Sequence, residues 1–144
     1  MHGCGKIWLK RKLERGFAPL IAQLDAGLRE VGVAPASELL RDGVIQRFEY
    51  SYELAMKFIR RTLETVYSDP VDEMGYNDVL RTAAERGLIV DAEAWFGYRA
   101  ARNKTSHTYD AAIAAEVFRS AQPFLTDGLA LLQRLHAIAH RSLA

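Results

Sequence analysis

The chain has 144 residues, 49% of them apolar and 26% charged, with a formal net charge of +1. This is the profile of one soluble globular domain spanning residues 1–144, and it excludes an intrinsically disordered chain and a protein that coats nucleic acid through bulk charge. Cys4 is the only cysteine, which excludes an intramolecular disulfide and a cysteine-rich zinc site and makes the cytoplasm the expected compartment.

The opening MHGCGKIWLKRKLERG is basic but has no apolar core of signal-peptide length. No apolar run is long enough to span a bilayer, so neither export nor membrane insertion is expected. From Lys6 to Val31, Leu9, Leu13, Phe17, Leu20, Leu24 and Leu28 fall on one side of a helix, which Pro19 kinks or restarts. A second helix carries Ile45, Phe48, Tyr52, Ala55, Ile59, Thr62 and Val66 at alternating steps of three and four. Glu49, Glu53 and Lys57 lie four apart on a neighbouring face. The acid-before-base order from Glu53 to Lys57 favours a surface pair, so this face is either solvated or a polar partner surface.

SDPVDEMGY reads as a loop, followed by a short helix capped near Asn77 and ended by Gly87. Asp91 caps the next helix, which runs through Trp95, Tyr98 and Arg102; Trp95 and Arg99 are spaced for a cation–π pair, with plain core as the other role for Trp95. Thr108 or Asp110 caps the last, through Ile113, Val117, Phe124, Leu125, Leu129, Leu132 and Leu135, with a bend at Pro123. No run alternates with period two, so no strand is expected. Helices of this length on short loops bury their stripes against one another, and the predicted fold is all-α, an antiparallel up-and-down bundle of four or five helices.

Between the last two helices lies RNKTSHTYD, Arg102 to Asp110. It brings together a permanent cation with a planar donor fork, an imidazole able to move a proton near neutral pH and a phenolic nucleophile, a set suited to phosphate chemistry. The bland alternatives are that Arg102 and Lys104 merely complement a helix C-terminus, that His107 bonds a free carbonyl in the turn, and that Tyr109 packs its ring on the bundle. His136 and His140 have a metal-compatible spacing but no evident third ligand. The chain carries no Walker loop, no GxGxxG, no H-E-x-x-H and no zinc-finger spacing, and no cofactor or metal is expected. It also has neither Gly-Ser nor Asp-x-Asp, the elements with which a nucleotidyltransferase holds magnesium. Any nucleotide transfer falls to another chain.

The stretch GVIQRFEYSYELAMKFIRRTLE from Gly43, taken with RNKTSHTYD, resembles the nucleotidyltransferase substrate-binding family of the HEPN superfamily, the helical partners of minimal nucleotidyltransferases. The resemblance covers most of the chain. It implies a helical homodimer with an Arg-x-x-x-x-His pattern at a metal-independent ribonuclease site, matched here by Arg102 and His107, with Asn103 matching the usual Asn after the Arg. In members paired with a minimal nucleotidyltransferase the pattern extends to a tyrosine that receives AMP and silences a toxin-like ribonuclease. Tyr109 occupies that place.

Metal-independent RNA cleavage needs a base for the ribose 2′-hydroxyl, an acid for the leaving oxygen and a cation for the phosphoryl charge. One chain supplies one histidine in the motif, and a two-fold dimer would supply two. Asn103, Thr105 and Ser106 would add substrate hydrogen bonds. Two functions are therefore expected to compete: a ribonuclease acting on RNA and restrained by a cognate nucleotidyltransferase, or a non-catalytic subunit that binds substrate or nucleotide for that transferase.

Overall fold

Leu9, Leu13, Phe17 and Ile21 are all buried and recur at steps of four, and an α-helix would rotate such a series by about 40° at each step. The chain removes that drift locally. The computed structural model describes residues 2–141, with side chains from residue 7 to residue 141. In it α1 (His2–Lys12) and α2 (Ala18–Val33) are joined by a π-helical turn, Leu13–Phe17, closed by the Ala18 N–H donating to the Leu13 carbonyl. The wider turn keeps the four side chains facing the core. It also turns Ile21 inward in place of Leu20, which is only half-buried. Pro19 sits in the first turn of α2, directly after the π turn, and the helix continues through it. The side chain of Cys4 lies outside the described residues.

Helix α3 (Glu38–Thr65) starts where the Ser37 side chain accepts from the Leu40 N–H at 3.2 Å. It runs antiparallel to α2. Arg47 donates to the Gln23 carbonyl at 2.6 Å, the Ser51 hydroxyl approaches the Leu20 carbonyl, and Phe58 packs on Phe17, so that rising numbers on one helix meet falling numbers on the other. The long α6 (Ala111–Arg141) lies against both. A Cβ on Gly128 would come within 2.8 Å of Ile21 Cδ1, so glycine there lets α6 press directly onto α2. Among the described residues there are five helical rods and no strand, counting α1 and α2 as one, in an all-α bundle.

Two short helices, α4 (Tyr76–Glu85) and α5 (Ala92–Asn103), complete the bundle. α4 begins one residue before Asn77, after Gly75 and without a side-chain cap. Asp91 caps α5 through the Glu93 N–H, and Asp110, not Thr108, caps α6 through the N–H groups of Ala112 and Ile113. α6 continues through Pro123 without a break in the helix. The proline is on the exposed face, where water can take the carbonyl it leaves without a donor.

The core beneath α5 is aromatic. Phe124 of α6 meets Phe48 at 5.3 Å, Tyr52 at 6.1 Å, Trp95 at 5.6 Å and Tyr98 at 5.4 Å between ring centroids, mostly edge to face. Trp95 is therefore core, and Arg99 lies over Tyr76 instead, 3.9 Å from its ring centroid. The Tyr98 hydroxyl donates to Asp127, which satisfies the one polar atom this ring brings into the cluster. Because Phe124 touches all four other rings, Phe124→Ala should lower the unfolding free energy by about 3–5 kcal/mol in chemical denaturation, whereas Phe124→Leu should cost less than half of that.

Candidate functional site

The last turn of α5 carries Arg102 toward α3, and α3 meets it with two carboxylates. Glu49 and Glu53 are one helical turn apart, an arrangement of like charges that is unfavourable unless a cation lies between them. Arg102 is that cation. Its Nε donates to Glu53 Oε1 at 2.9 Å, Nη2 donates to the same oxygen, and Nη2 lies 3.7 Å from Glu49. The hydrogen bond to Glu53 is the main cause holding the guanidinium proton more firmly than usual, with the charges of Glu53 and Glu49 adding to it. Nη1 is not used in these contacts. Glu53 thus turns to Arg102 and not to the expected Lys57, while Glu53 and Lys57 themselves stay exposed.

Beyond Asn103 the chain tightens into a 3-10 turn, Thr105–His107. The Thr105 hydroxyl donates to the Arg102 carbonyl at 2.8 Å, closing the end of α5, and the Thr108 hydroxyl reaches back to the Thr105 carbonyl at 3.3 Å. Lys104 Nζ donates to Glu116 of α6 at 2.6 Å, and this bond chiefly lowers the Glu116 pKa. The motif loop is therefore tied to α5 behind it and to α6 ahead of it.

Asn103, Ser106, His107 and Tyr109 are exposed. Tyr109 keeps 88% of its surface open, so its ring does not pack on the bundle. Its nearest ring neighbour is His107, edge to face at 6.1 Å. His107 serves the turn through its backbone, its N–H donating to the Lys104 carbonyl at 3.0 Å and its carbonyl accepting from the Asp110 N–H at 3.1 Å, and the imidazole is not spent on a carbonyl. Arg102 thus stands fixed and partly buried at the start of the loop, with His107 and Tyr109 open to solvent a few residues on.

Two surface grooves flank this loop. One, of about 500 Å³, lies between α3, the start of α4 and α5, and is lined by Tyr52, Lys57, Arg60, Tyr76, Arg99 and Arg102, with Glu53 and Asn103 at its edge. The other, of about 400 Å³, is lined by Leu39, Gln46 and Glu49 of α3 together with Thr105 and Thr108. Leu39 is 82% exposed here, among the polar Asp42, Gln46 and Glu49. His136 and His140 lie together on α6, ring centroids 6.4 Å apart, and among the described residues no group of three His, Cys, Asp or Glu is placed to hold a metal ion. No helix among the described residues is long and apolar enough to cross a membrane.

Residues 15–137 match the family described as nucleotidyltransferase substrate binding protein like. The chain belongs to that family. Among the members of known sequence similar to it is a protein of Haemophilus influenzae named "Probable ribonuclease HepT", 41% identical over 95 residues, a match that spans 65% of this chain and 65% of that protein. A solved Haemophilus influenzae structure, described as revealing the fold of a substrate binding domain of a nucleotidyltransferase, superposes with a TM-score of 0.77 at 32% identity, covering 83% of this chain and 96% of that one. The substrate-binding family and the bundle described above therefore coincide over most of the chain.

Sequence reasoning missed Glu49 and Glu53 as partners of the motif, although two carboxylates one turn apart were the signal that a cation had to come from elsewhere. It also missed Tyr52 and Arg60 of α3, Tyr76 of α4 and Arg99 of α5, which meet only when α4 and α5 fold back over α3. Because the Arg102 and Glu53 side chains are 33% and 44% exposed, a double-mutant cycle with Arg102→Gln and Glu53→Gln should give a coupling below about 1 kcal/mol, and circular dichroism should show every variant folded.

Proposed function

We propose that the chain is the helical partner of a separately encoded nucleotidyltransferase and a metal-independent ribonuclease that this transferase silences. The observation that carries the reading is the arrangement at the end of α5: an arginine immobilised by Glu53, followed by an exposed histidine and an exposed tyrosine in edge contact. Family membership and the resemblance to a protein named as a probable ribonuclease support it.

In this reading RNA is the substrate. One His107 imidazole takes the proton of a ribose 2′-hydroxyl, whose oxygen attacks the adjacent phosphorus. The bond from phosphorus to the 5′ oxygen breaks, and an imidazolium protonates that oxygen, leaving a 2′,3′-cyclic phosphate and a free 5′-hydroxyl. Arg102 steadies the phosphoryl charge through Nη1, while Asn103, Thr105 and Ser106 contact the strand. Each step needs a histidine in a different protonation state, and each chain offers one in the motif. A symmetric homodimer, with the open groove of Leu39, Gln46 and Glu49 beside the motif loop as its contact, would bring two copies into one cleft.

Tyr109 is the acceptor of nucleotide in the same reading. Its phenolic oxygen, well exposed, attacks the α-phosphorus of ATP on the transferase with release of pyrophosphate. The AMP it acquires places negative charge and a base beside Arg102 and His107, closing the cleft to RNA. Both proteins work in the cytoplasm.

Purified unmodified protein should cleave RNA in the presence of a chelator, and Arg102→Ala or His107→Ala should each lower the rate about 10²–10⁴-fold with helicity unchanged. If the wild type and His107→Ala are equally inert, with Tyr109 verified as unmodified, the chain is a non-catalytic subunit that binds substrate or nucleotide for the transferase. Incubation with the cognate transferase, ATP and magnesium should add AMP at Tyr109 by mass spectrometry and abolish cleavage, and labelling that persists in Tyr109→Phe would reject this acceptor.

A further inference from the structure

The groove between α3, the start of α4 and α5 has a chemistry of its own. Lys57, Arg60, Arg99 and Arg102 line it against one carboxylate, Glu53, which Arg102 already engages. Lys57, Arg60 and Arg99 form no ion pair with any described residue. Arg99 is stacked on the Tyr76 ring at 3.9 Å and Arg60 lies 5.3 Å from the same centroid, so both guanidinium groups are held by an aromatic surface, which leaves their donors open to an anion. At the floor is Tyr52, 3% exposed, whose hydroxyl has no hydrogen-bond partner among the described residues. A buried hydroxyl without a partner is costly, and this one belongs to a side chain that lines the groove.

We propose that this groove is a binding site for the phosphate groups of a nucleotide, with Tyr52, Arg60 and Arg99 as its contacts. The non-bridging oxygens of a phosphate each accept more than one hydrogen bond, so one phosphate can serve the tyrosine hydroxyl and two guanidinium groups together. Burial, and secondarily Tyr76, raises the Tyr52 pKa against the opposing pull of Arg99 and Arg102, so the phenol remains a proton donor. The volume of about 500 Å³ suits a ligand of nucleotide size. Tyr76, 39% exposed at the rim, offers a ring edge to the base or sugar. Asn103 joins the groove to the motif loop, so an RNA strand held here would continue toward His107. In that respect the inference rests on the proposed ribonuclease reading, but binding is read without turnover, so a protein that binds and does not cut separates the two.

The phosphate can come from an RNA strand or from a free nucleotide. The test uses the full chain carrying His107→Ala, unmodified and in chelator, with a short fluorescein-labelled oligoribonucleotide followed by polarisation and ATP followed by calorimetry. Arg60→Gln with Arg99→Gln should weaken binding by about tenfold or more, and Tyr52→Phe, which keeps the ring and the core, by roughly two- to tenfold. Arg11→Gln with Lys12→Gln, cations lining a different groove on α1, should change it by less than about twofold, since only diffuse charge is lost. Loss confined to the oligoribonucleotide identifies the strand as the source, and parallel loss for ATP identifies a free nucleotide; either result supports the site. Absence of binding to both probes, unchanged affinity in the arginine pair or in Tyr52→Phe, or an equal loss from the α1 pair would overturn it. Should the arginine pair fail to fold by circular dichroism, Tyr52→Phe decides alone.

Discussion

The contact between Arg102 and the two carboxylates of α3 is the constraint on which the functional end of this bundle depends. Glu49 and Glu53 repel one another along their own helix, and Arg102 relieves that repulsion only if α5 ends against this turn of α3. The pair is too exposed to contribute much stability. Its effect is positional: it fixes where α5 stops, and therefore where the loop holding His107 and Tyr109 begins. The hydroxyl of Thr105 and the Lys104–Glu116 pair extend this anchoring through the loop to α6.

Stability is supplied elsewhere, by the packed rods and above all by the rings that converge on Phe124. Tyr52 belongs to both systems. Its ring packs against Phe48, Trp95 and Phe124, while its hydroxyl lies without a partner under the groove of Arg60 and Arg99. A rigid aromatic floor beneath a cationic groove is a sound platform for phosphate recognition, because the binding groups are held in place before the ligand arrives. In the proposed ribonuclease the same floor would keep Arg102 and the strand in fixed relation without rearrangement of the bundle.

Much of this was legible in the sequence, and the parts that were not share a cause. The stripe on α3, that on α6 apart from Leu129, which is 40% exposed, and the cap at Asp91 depend on residues close along the chain, so spacing revealed them, and it narrowed the α6 cap to Thr108 or Asp110. The motif RNKTSHTYD was equally visible, since its residues lie within nine positions of one another. The π turn at Leu13–Phe17 was harder: Leu20 fits an uninterrupted helix as well as Ile21 fits the real one, and only the widened turn chooses between them. The partner of Glu53 was read as Lys57 because four-residue spacing favours it, and the true partner lies 49 residues away. Arg99 was paired in prospect with Trp95 for the same reason, whereas the fold delivers Tyr76 from another helix. Contacts between distant residues carry no periodic signature, and the groove depends on them: Arg60 of α3 and Arg99 of α5 meet on the Tyr76 ring of α4.

The pH dependence of RNA cleavage in chelator tests the shared two-histidine site most directly. Two copies of His107 acting as base and acid in one cleft predict a bell-shaped profile of kcat/KM, both limbs of which vanish in His107→Ala. A profile that rises or falls monotonically, or a bell that survives in His107→Ala, would contradict it.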